Sequence, residues 1–241
     1  MSPDCESLTT TVVAALREKL GANLCSCCVY GSAVRGNWIE GISDLNLLIV
    51  LNDSTPDAHE CIAEILRKNP MVDPFILGRA GMERSVRAFA AKFANIRRQY
   101  KVVHGADPLA EVKVDPALER FLCEQGIRNL RLRLVYAFVT RSKRQPYERF
   151  LIAHVTTLFV QLSQVMRLSG GALPADFEAR TRLFEAKFKI DGSVPRELLA
   201  LKRQPRALSE TETVSWHGRV FPLIDSVVKW IEANWAAEPR L

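Results

Sequence analysis

The hydrophobic positions of the first hundred residues alternate between helical spacing and short apolar runs. Over residues 8–20 the apolar side chains repeat at intervals of three and four, which predicts an amphipathic helix. A short apolar run at 24–30, closed by Gly31, predicts a strand that enters a tight turn, and the nearly all-apolar run at 45–51 suits a strand that is covered on both faces. The pattern also predicts helices at 56–68 and 83–96 and strands at 72–77 and 100–104.

From about residue 114 the pattern changes to helical repeats separated by loops rich in Gly, Pro and Ser. The chain is therefore predicted to be α+β, with an α/β domain over 1–113 followed by an all-helical domain over 114–241. The predicted helices of the second domain lie at 118–141, 147–168, 177–188, 195–202 and 221–235.

The composition is that of a soluble globular protein with a sizeable core, since 48% of its 241 residues are hydrophobic and 25% are charged. The N-terminus shows neither the basic nor the apolar region of a secretory signal. The most apolar long run, 150–168, is interrupted by His154, Gln161 and Arg167, which favours a buried helix over a membrane span. We expect a cytoplasmic protein with no membrane partner.

Six cysteines are irregularly spaced along the chain, and we expect them to be reduced. The segment Cys25-Ser26-Cys27-Cys28 contains a CxxC pair, which is one pattern of zinc and redox sites. No second pair of Cys or His accompanies it. We therefore favour the alternative, in which these cysteines pack as small apolar side chains on a strand.

The net charge of +6 and a pI near 9.1 are compatible with an anionic partner such as a nucleotide or a nucleic acid. No RNA or DNA motif with interleaved aromatic residues accompanies the basic residues. Nucleic-acid binding rests on net charge alone and is the least supported of the functional hypotheses.

One segment carries a recognisable chemical pattern. Tyr30-Gly31-Ser32-Ala33-Val34-Arg35-Gly36 is followed, after a polar loop, by Ser43-Asp44-Leu45-Asn46 at the start of an apolar strand. It resembles the active-site signature of nucleotidyltransferases of the DNA polymerase beta superfamily. That signature has an apolar residue, then Gly, then a position that is either Gly or Ser. After a gap of roughly ten residues it continues with acid–apolar–acid on a strand. Asn46 stands where the second acid belongs.

The resemblance implies a small mixed sheet flanked by helices and then a helical bundle, as in small-molecule (antibiotic-type) nucleotidyltransferases. It also implies transfer of a nucleoside monophosphate, expected to be AMP, from a magnesium-bound triphosphate, expected to be ATP, to a hydroxyl of a small molecule or protein. Gly31 lets the backbone approach the triphosphate, and Ser32 supplies a hydroxyl and an N–H group. Asp44 matches the first acid; acids at positions i and i+2 of a strand share one face, where they can hold two Mg²⁺ ions.

The other candidates are less specific. Asp73 is the best match to the third acid of this family, although a turn residue after Pro70 is an equal alternative. Arg35 is a candidate for a phosphate contact and, equally, for a structural ion pair. A base from the helical domain is also conceivable in such enzymes, and the sequence does not select among Glu119, Glu124 and Glu148.

The functional hypotheses differ in how they interpret Asn46. An amide oxygen can coordinate Mg²⁺, but it brings no negative charge and cannot bridge two cations as a carboxylate does. The first hypothesis is an enzyme with a weakened metal site. The alternative is a catalytically degenerate module that binds nucleotide or acts as a regulatory or interaction domain. For a triphosphate ligand we expect a positively charged groove between the domains, with Arg35, Arg128, Arg131, Lys143 and Arg144 as candidates to line it.

Overall fold

The computed structural model describes residues 1–35, 44–174 and 176–235. The chain divides into two compact units, which we call unit 1 (Met1–Glu119) and unit 2 (Arg120–Leu241). Unit 1 is α/β and unit 2 is helical. The predicted α+β fold class is thereby confirmed.

Unit 1 is built on a four-stranded mixed sheet with the order β3-β2-β1-β4. Strand β1 pairs antiparallel with β2 and with β4, whereas β2 and β3 are parallel. All four predicted strands are present, and the last of them lies at an edge. Their bounds are β1 Leu24–Tyr30, β2 Leu45–Leu51, β3 Val72–Gly78 and β4 Tyr100–Gly105.

The helices of unit 1 differ from the predicted ones mainly at their ends. The first helix begins at Pro3 rather than at residue 8, because the Ser2 side chain accepts a hydrogen bond from the Cys5 N–H and Pro3 suits a first helical position. The single helix predicted at 83–96 is two helices, interrupted at Phe89 by a non-helical ψ of 33°. The helices are α1 Pro3–Leu20, α2 Ser32–Arg35, α3 Pro56–Arg67, α4 Met82–Ala88 and α5 Ala90–Arg98.

The two faces of the sheet bury different sets of side chains because neighbouring residues of a strand point in opposite directions. One face, which includes Leu47 and Ile49 of β2, packs in a core cluster with α1 and α3. The other face, which includes Leu48 and Val50, packs with Phe93 and Ile96 of α5. We call this second side of the sheet the α5 face. Asn46 shares the strand parity of Leu48 and Val50 and therefore belongs to the α5 face.

Unit 2 contains a helical core. Helix α7 carries apolar side chains that are buried in this core, including Leu151, Leu158 and Leu162. Of the described helices, α7 is the one with the length and hydropathy of a membrane span, a test that the core helix of a soluble protein also passes. The helices from this point of the chain are α6 Pro116–Val139, α7 Tyr147–Leu168, α8 Phe177–Phe188, α9 Ser193–Arg203 and α10 Glu210–Asn234, and residues 116–119 of α6 belong to unit 1.

The last helix is longer than predicted. It begins at Glu210 rather than at residue 221, because Ser209 and Glu212 form a reciprocal capping box that satisfies backbone N–H groups at its start. Pro222 lies inside this helix, and its presence obscures the helical pattern in the sequence.

Candidate functional site

The turn after β1 lies directly against Asn46. Gly31 has a φ of +81°, a left-handed conformation that favours glycine. A Cβ added to Gly31 would lie 3.2 Å from Nδ2 of Asn46. Tyr30, the last residue of β1, is paired with Asn46 across the antiparallel ladder. The turn and the start of β2 therefore form one continuous surface.

The signature residues Asp44 and Asn46 occur at the start of β2. Asp44 is exposed and directly precedes the strand, whereas Asn46 is its second residue and is half-buried. Nδ2 of Asn46 donates a hydrogen bond of 3.3 Å to the backbone oxygen of Asp44. Because the nitrogen of the Asn46 amide donates this bond, the side-chain oxygen is the atom that can accept a hydrogen bond or ligate a cation.

Asp73 comes to the same end of the sheet through the parallel pairing of β2 with β3. Its Cα is the register partner of Asn46. Asp73 is exposed and is the second residue of β3 rather than part of the preceding turn. Phe75 and Leu77 have the same parity and pack with the α5-face core, which assigns Asp73 to the face of Asn46. The role of Asp73 as a third acid remains a prediction.

Two further residues, which the sequence did not single out, belong to this end of the α5 face. Tyr30 is buried, and burial together with the nearby charge of Asp73 raises the pKa of its hydroxyl. Lys92 of α5 is exposed, and its Nζ lies 4.0 Å from the ring centroid of Phe75. Desolvation of the amine lowers the pKa of Lys92, and the charge of Asp73 opposes that change.

Lys92 was missed because a lysine in an amphipathic helix is normally solvated. The available signal was weak: Lys92 lies next to Phe93 and one helical turn after Phe89, at the border of the apolar side. Only the packing of α5 on the sheet shows that its amine lies over Phe75.

The remaining predicted ligand-binding residues are in part outside the described structure. Ser32 is half-buried and is the first residue of the short helix α2. The side chain of Arg35 and the residues 36–43 lie outside the described part of the chain. The predicted phosphate contact of Arg35 remains a prediction.

The cysteine segment lies in β1, where the side chains of Cys27 and Cys28 are buried. None of the six cysteines, all of which lie in the described part of the chain, forms a disulfide. Burial raises the pKa of both Cys27 and Cys28 to about 12, so both thiols are protonated at neutral pH. Among the described residues, no three His, Cys, Asp or Glu side chains are grouped so that they could hold a metal ion.

Several charged residues that were candidates for the site have protein partners. Glu119 is buried and lies 2.7 Å from the Arg98 guanidinium, both in unit 1. In unit 2, Arg128 forms ion pairs with Glu124 and Glu232. Arg131 similarly pairs with Asp225 in unit 2. These pairings give Glu119, Glu124, Arg128 and Arg131 structural roles that require no ligand.

The fold has a solved counterpart. The chain superimposes on the spectinomycin adenyltransferase AAD(9) from Enterococcus faecialis, solved with ATP and spectinomycin, with a TM-score of 0.62 and 14% sequence identity. The match covers 94% of this chain and 99% of that one. No family model matches the sequence, and no curated protein sequence matches it significantly. The similarity therefore establishes a shared fold over nearly the whole length of both chains.

Proposed function

We propose that this protein binds ATP at the Gly31-Ser32 turn and transfers AMP to a hydroxyl of a small molecule. The observation that carries the proposal is the pairing of Asp73 with Asn46 beside that turn. The end of β1, the start of β2 and the start of β3 thereby bring the candidate residues to the same end of the sheet. The adenyltransferase with the same fold was solved with ATP and a small-molecule acceptor, which supports these two ligand classes.

The turn is suited to the triphosphate. At Gly31 a side chain would crowd the Asn46 amide, so the lack of a Cβ keeps the surface open for a phosphate group. Ser32 adds a hydroxyl at the next position. Both residues are half-buried and retain access to solvent.

The donor set fits one Mg²⁺ better than two. Asp44, Asn46 and Asp73 would supply two carboxylates and one amide oxygen, which are hard ligands of the kind Mg²⁺ prefers, and triphosphate oxygens and waters would complete the shell. A second ion requires a shared carboxylate, and Asn46 stands in its place. One bound Mg²⁺ would neutralise part of the charge of the triphosphate.

In the proposed reaction the acceptor oxygen forms a bond to the α-phosphorus. The bond from that phosphorus to the oxygen bridging to the β-phosphorus breaks, and pyrophosphate leaves with the electron pair. The proton of the acceptor hydroxyl needs a base, and we assign this role to the exposed carboxylate of Asp73. Asp44 and Asn46 then serve to position the triphosphate.

The missing anion at Asn46 supports a second candidate, a nucleotide-binding module without turnover. Two measurements separate the candidates: calorimetric binding of ATP at fixed magnesium, and pyrophosphate release with a panel of hydroxyl-bearing small molecules that includes spectinomycin. Binding with turnover supports the enzyme, whereas binding without turnover for both the natural protein and Asn46→Asp supports the module. Absence of ATP binding contradicts both.

A further inference from the structure

Lys92 places a cation near Asp73, one of the residues in the proposed metal-binding set. The ring of Phe75 holds its amine at 4.0 Å, and Phe75 is itself packed against Phe89 and Phe93. Asp73 lies two residues before Phe75 on the same side of β3, about 7 Å along the strand. A lysine side chain on Phe75 can therefore direct its three N–H donors toward Asp73 and toward a ligand bound beside it.

The charges of the described residues differ from those of a site with three acids. The acids Asp44 and Asp73 are both exposed, and Asn46 between them is neutral. Lys92 adds one positive charge near Asp73. The neutral Asn46 and the positive charge of Lys92 each weaken the attraction of these residues for a second divalent ion.

We propose that the Lys92 ammonium replaces one of the two metal ions and binds the triphosphate directly beside Asp73. The inference rests on the proposed function and deepens it. A fixed ammonium is a compact phosphate ligand that needs no cation from solution. ATP binding by this protein should therefore persist, although with lower affinity, when magnesium is removed.

The test is calorimetric titration with ATP, once in EDTA and once at saturating Mg²⁺. For the natural protein we expect binding in both buffers. Lys92→Met keeps most of the apolar stem and removes the charge. It should weaken binding in EDTA about 10- to 100-fold, the effect of losing one charge-assisted contact, and make the remaining binding dependent on Mg²⁺. Lys92→Arg should retain most of the binding in EDTA.

The matched control is Lys68→Met, which removes an exposed lysine at the end of α3, a helix packed on the opposite face of the sheet. It should bind ATP like the natural protein. Circular dichroism and thermal unfolding of each variant identify loss of fold, and Lys92→Arg then provides the comparison if Lys92→Met does not fold.

The outcomes separate the two proposals. If the natural protein binds ATP but Lys92→Met binds with the same affinity in both buffers, or if the natural protein requires Mg²⁺ absolutely, the role of Lys92 is wrong and the proposed function stands. If the natural protein binds no ATP in either buffer, both proposals are wrong.

Discussion

Asn46 and Asp73 are register partners in the parallel pair β2–β3, although a helix and two loops separate them in the chain. This pairing joins the Asp44-Leu45-Asn46 segment to Asp73, for which the sequence left a third acid and a turn residue as equal alternatives. Because the partner of Asp73 is an amide, this pair carries one carboxylate and not two. The predictions below concern that amide, the turn against it and the surrounding structure.

Replacing Asn46 by Asp should strengthen magnesium-dependent ATP binding by about tenfold or more, because it restores an anion with almost no change of volume. Calorimetry at fixed Mg²⁺ measures the effect. Asn52→Asp is the matched control, since it adds the same charge just beyond the other end of β2, about 20 Å away. Equal affinities for the natural protein and both variants would contradict the assignment of a cation site.

Replacing Asp44 by Asn should remove most of the magnesium dependence that the protein has, because Asp44 is one of the two carboxylates in the proposed donor set. The exposed position of Asp44 predicts that the fold is unaffected. The measurement compares ATP affinity at several Mg²⁺ concentrations. An unchanged magnesium dependence would exclude Asp44 as a ligand.

Replacing Gly31 by Ala should destabilise the protein by about 1–3 kcal/mol and weaken ATP binding, because its left-handed φ is unfavourable for alanine and the Cβ would crowd the Asn46 amide. Urea unfolding gives the change in free energy.

Two other glycines separate the causes of the Gly31 effect. Gly21 has a φ of +52° but open space around it, so Gly21→Ala measures backbone strain without crowding. Gly81 has an ordinary φ of −93° and open space, so Gly81→Ala should be nearly neutral. If Gly31→Ala costs no more than Gly21→Ala, contact with Asn46 adds nothing to the effect.

Replacing Glu119 by Gln should lower the free energy of unfolding by about 1–3 kcal/mol without affecting ATP affinity, because it weakens a charge-assisted hydrogen bond to Arg98 in a buried setting. Urea unfolding and calorimetry report the two quantities separately. Glu111→Gln, at an exposed position of the same unit, is the control. Loss of turnover with unchanged stability would instead identify Glu119 as a catalytic base.

The thiols of Cys27 and Cys28 should resist alkylation in the native protein at pH 8. Burial raises the pKa of each to about 12, so only about one molecule in ten thousand carries the reactive thiolate. Cys25 and Cys61 are half-buried and provide the comparison in the same sample. Mass spectrometry after a short iodoacetamide pulse measures modification at each site. Rapid labelling of Cys27 or Cys28 would reopen the metal and redox interpretation of the CxxC segment.

The sequence by itself determined the elements that depend on local patterns. Apolar runs bounded by turn residues predict β1 and β2 with the bounds that the structure has, and helical periodicity does the same for α7 and α8. The helix starts at Pro3 and Glu210 were missed although their capping residues are present, because the apolar pattern begins only later in each helix. The Gly31-Ser32 pair and its spacing to Asp44 could also be recognised from the sequence, since both lie within one short stretch of the chain.

Only the tertiary structure decided which other residues join that segment. The parallel register of β2 with β3 brings Asp73 to Asn46, and the packing of α5 on the sheet brings Lys92 to Phe75. The ion pair of Arg98 with Glu119 likewise joins two different helices. Local periodicity indicates which side of a helix or strand is apolar, because that property depends on residues that are close together in the chain. Register and packing depend on contacts between residues far apart in the chain, so no local pattern specifies them.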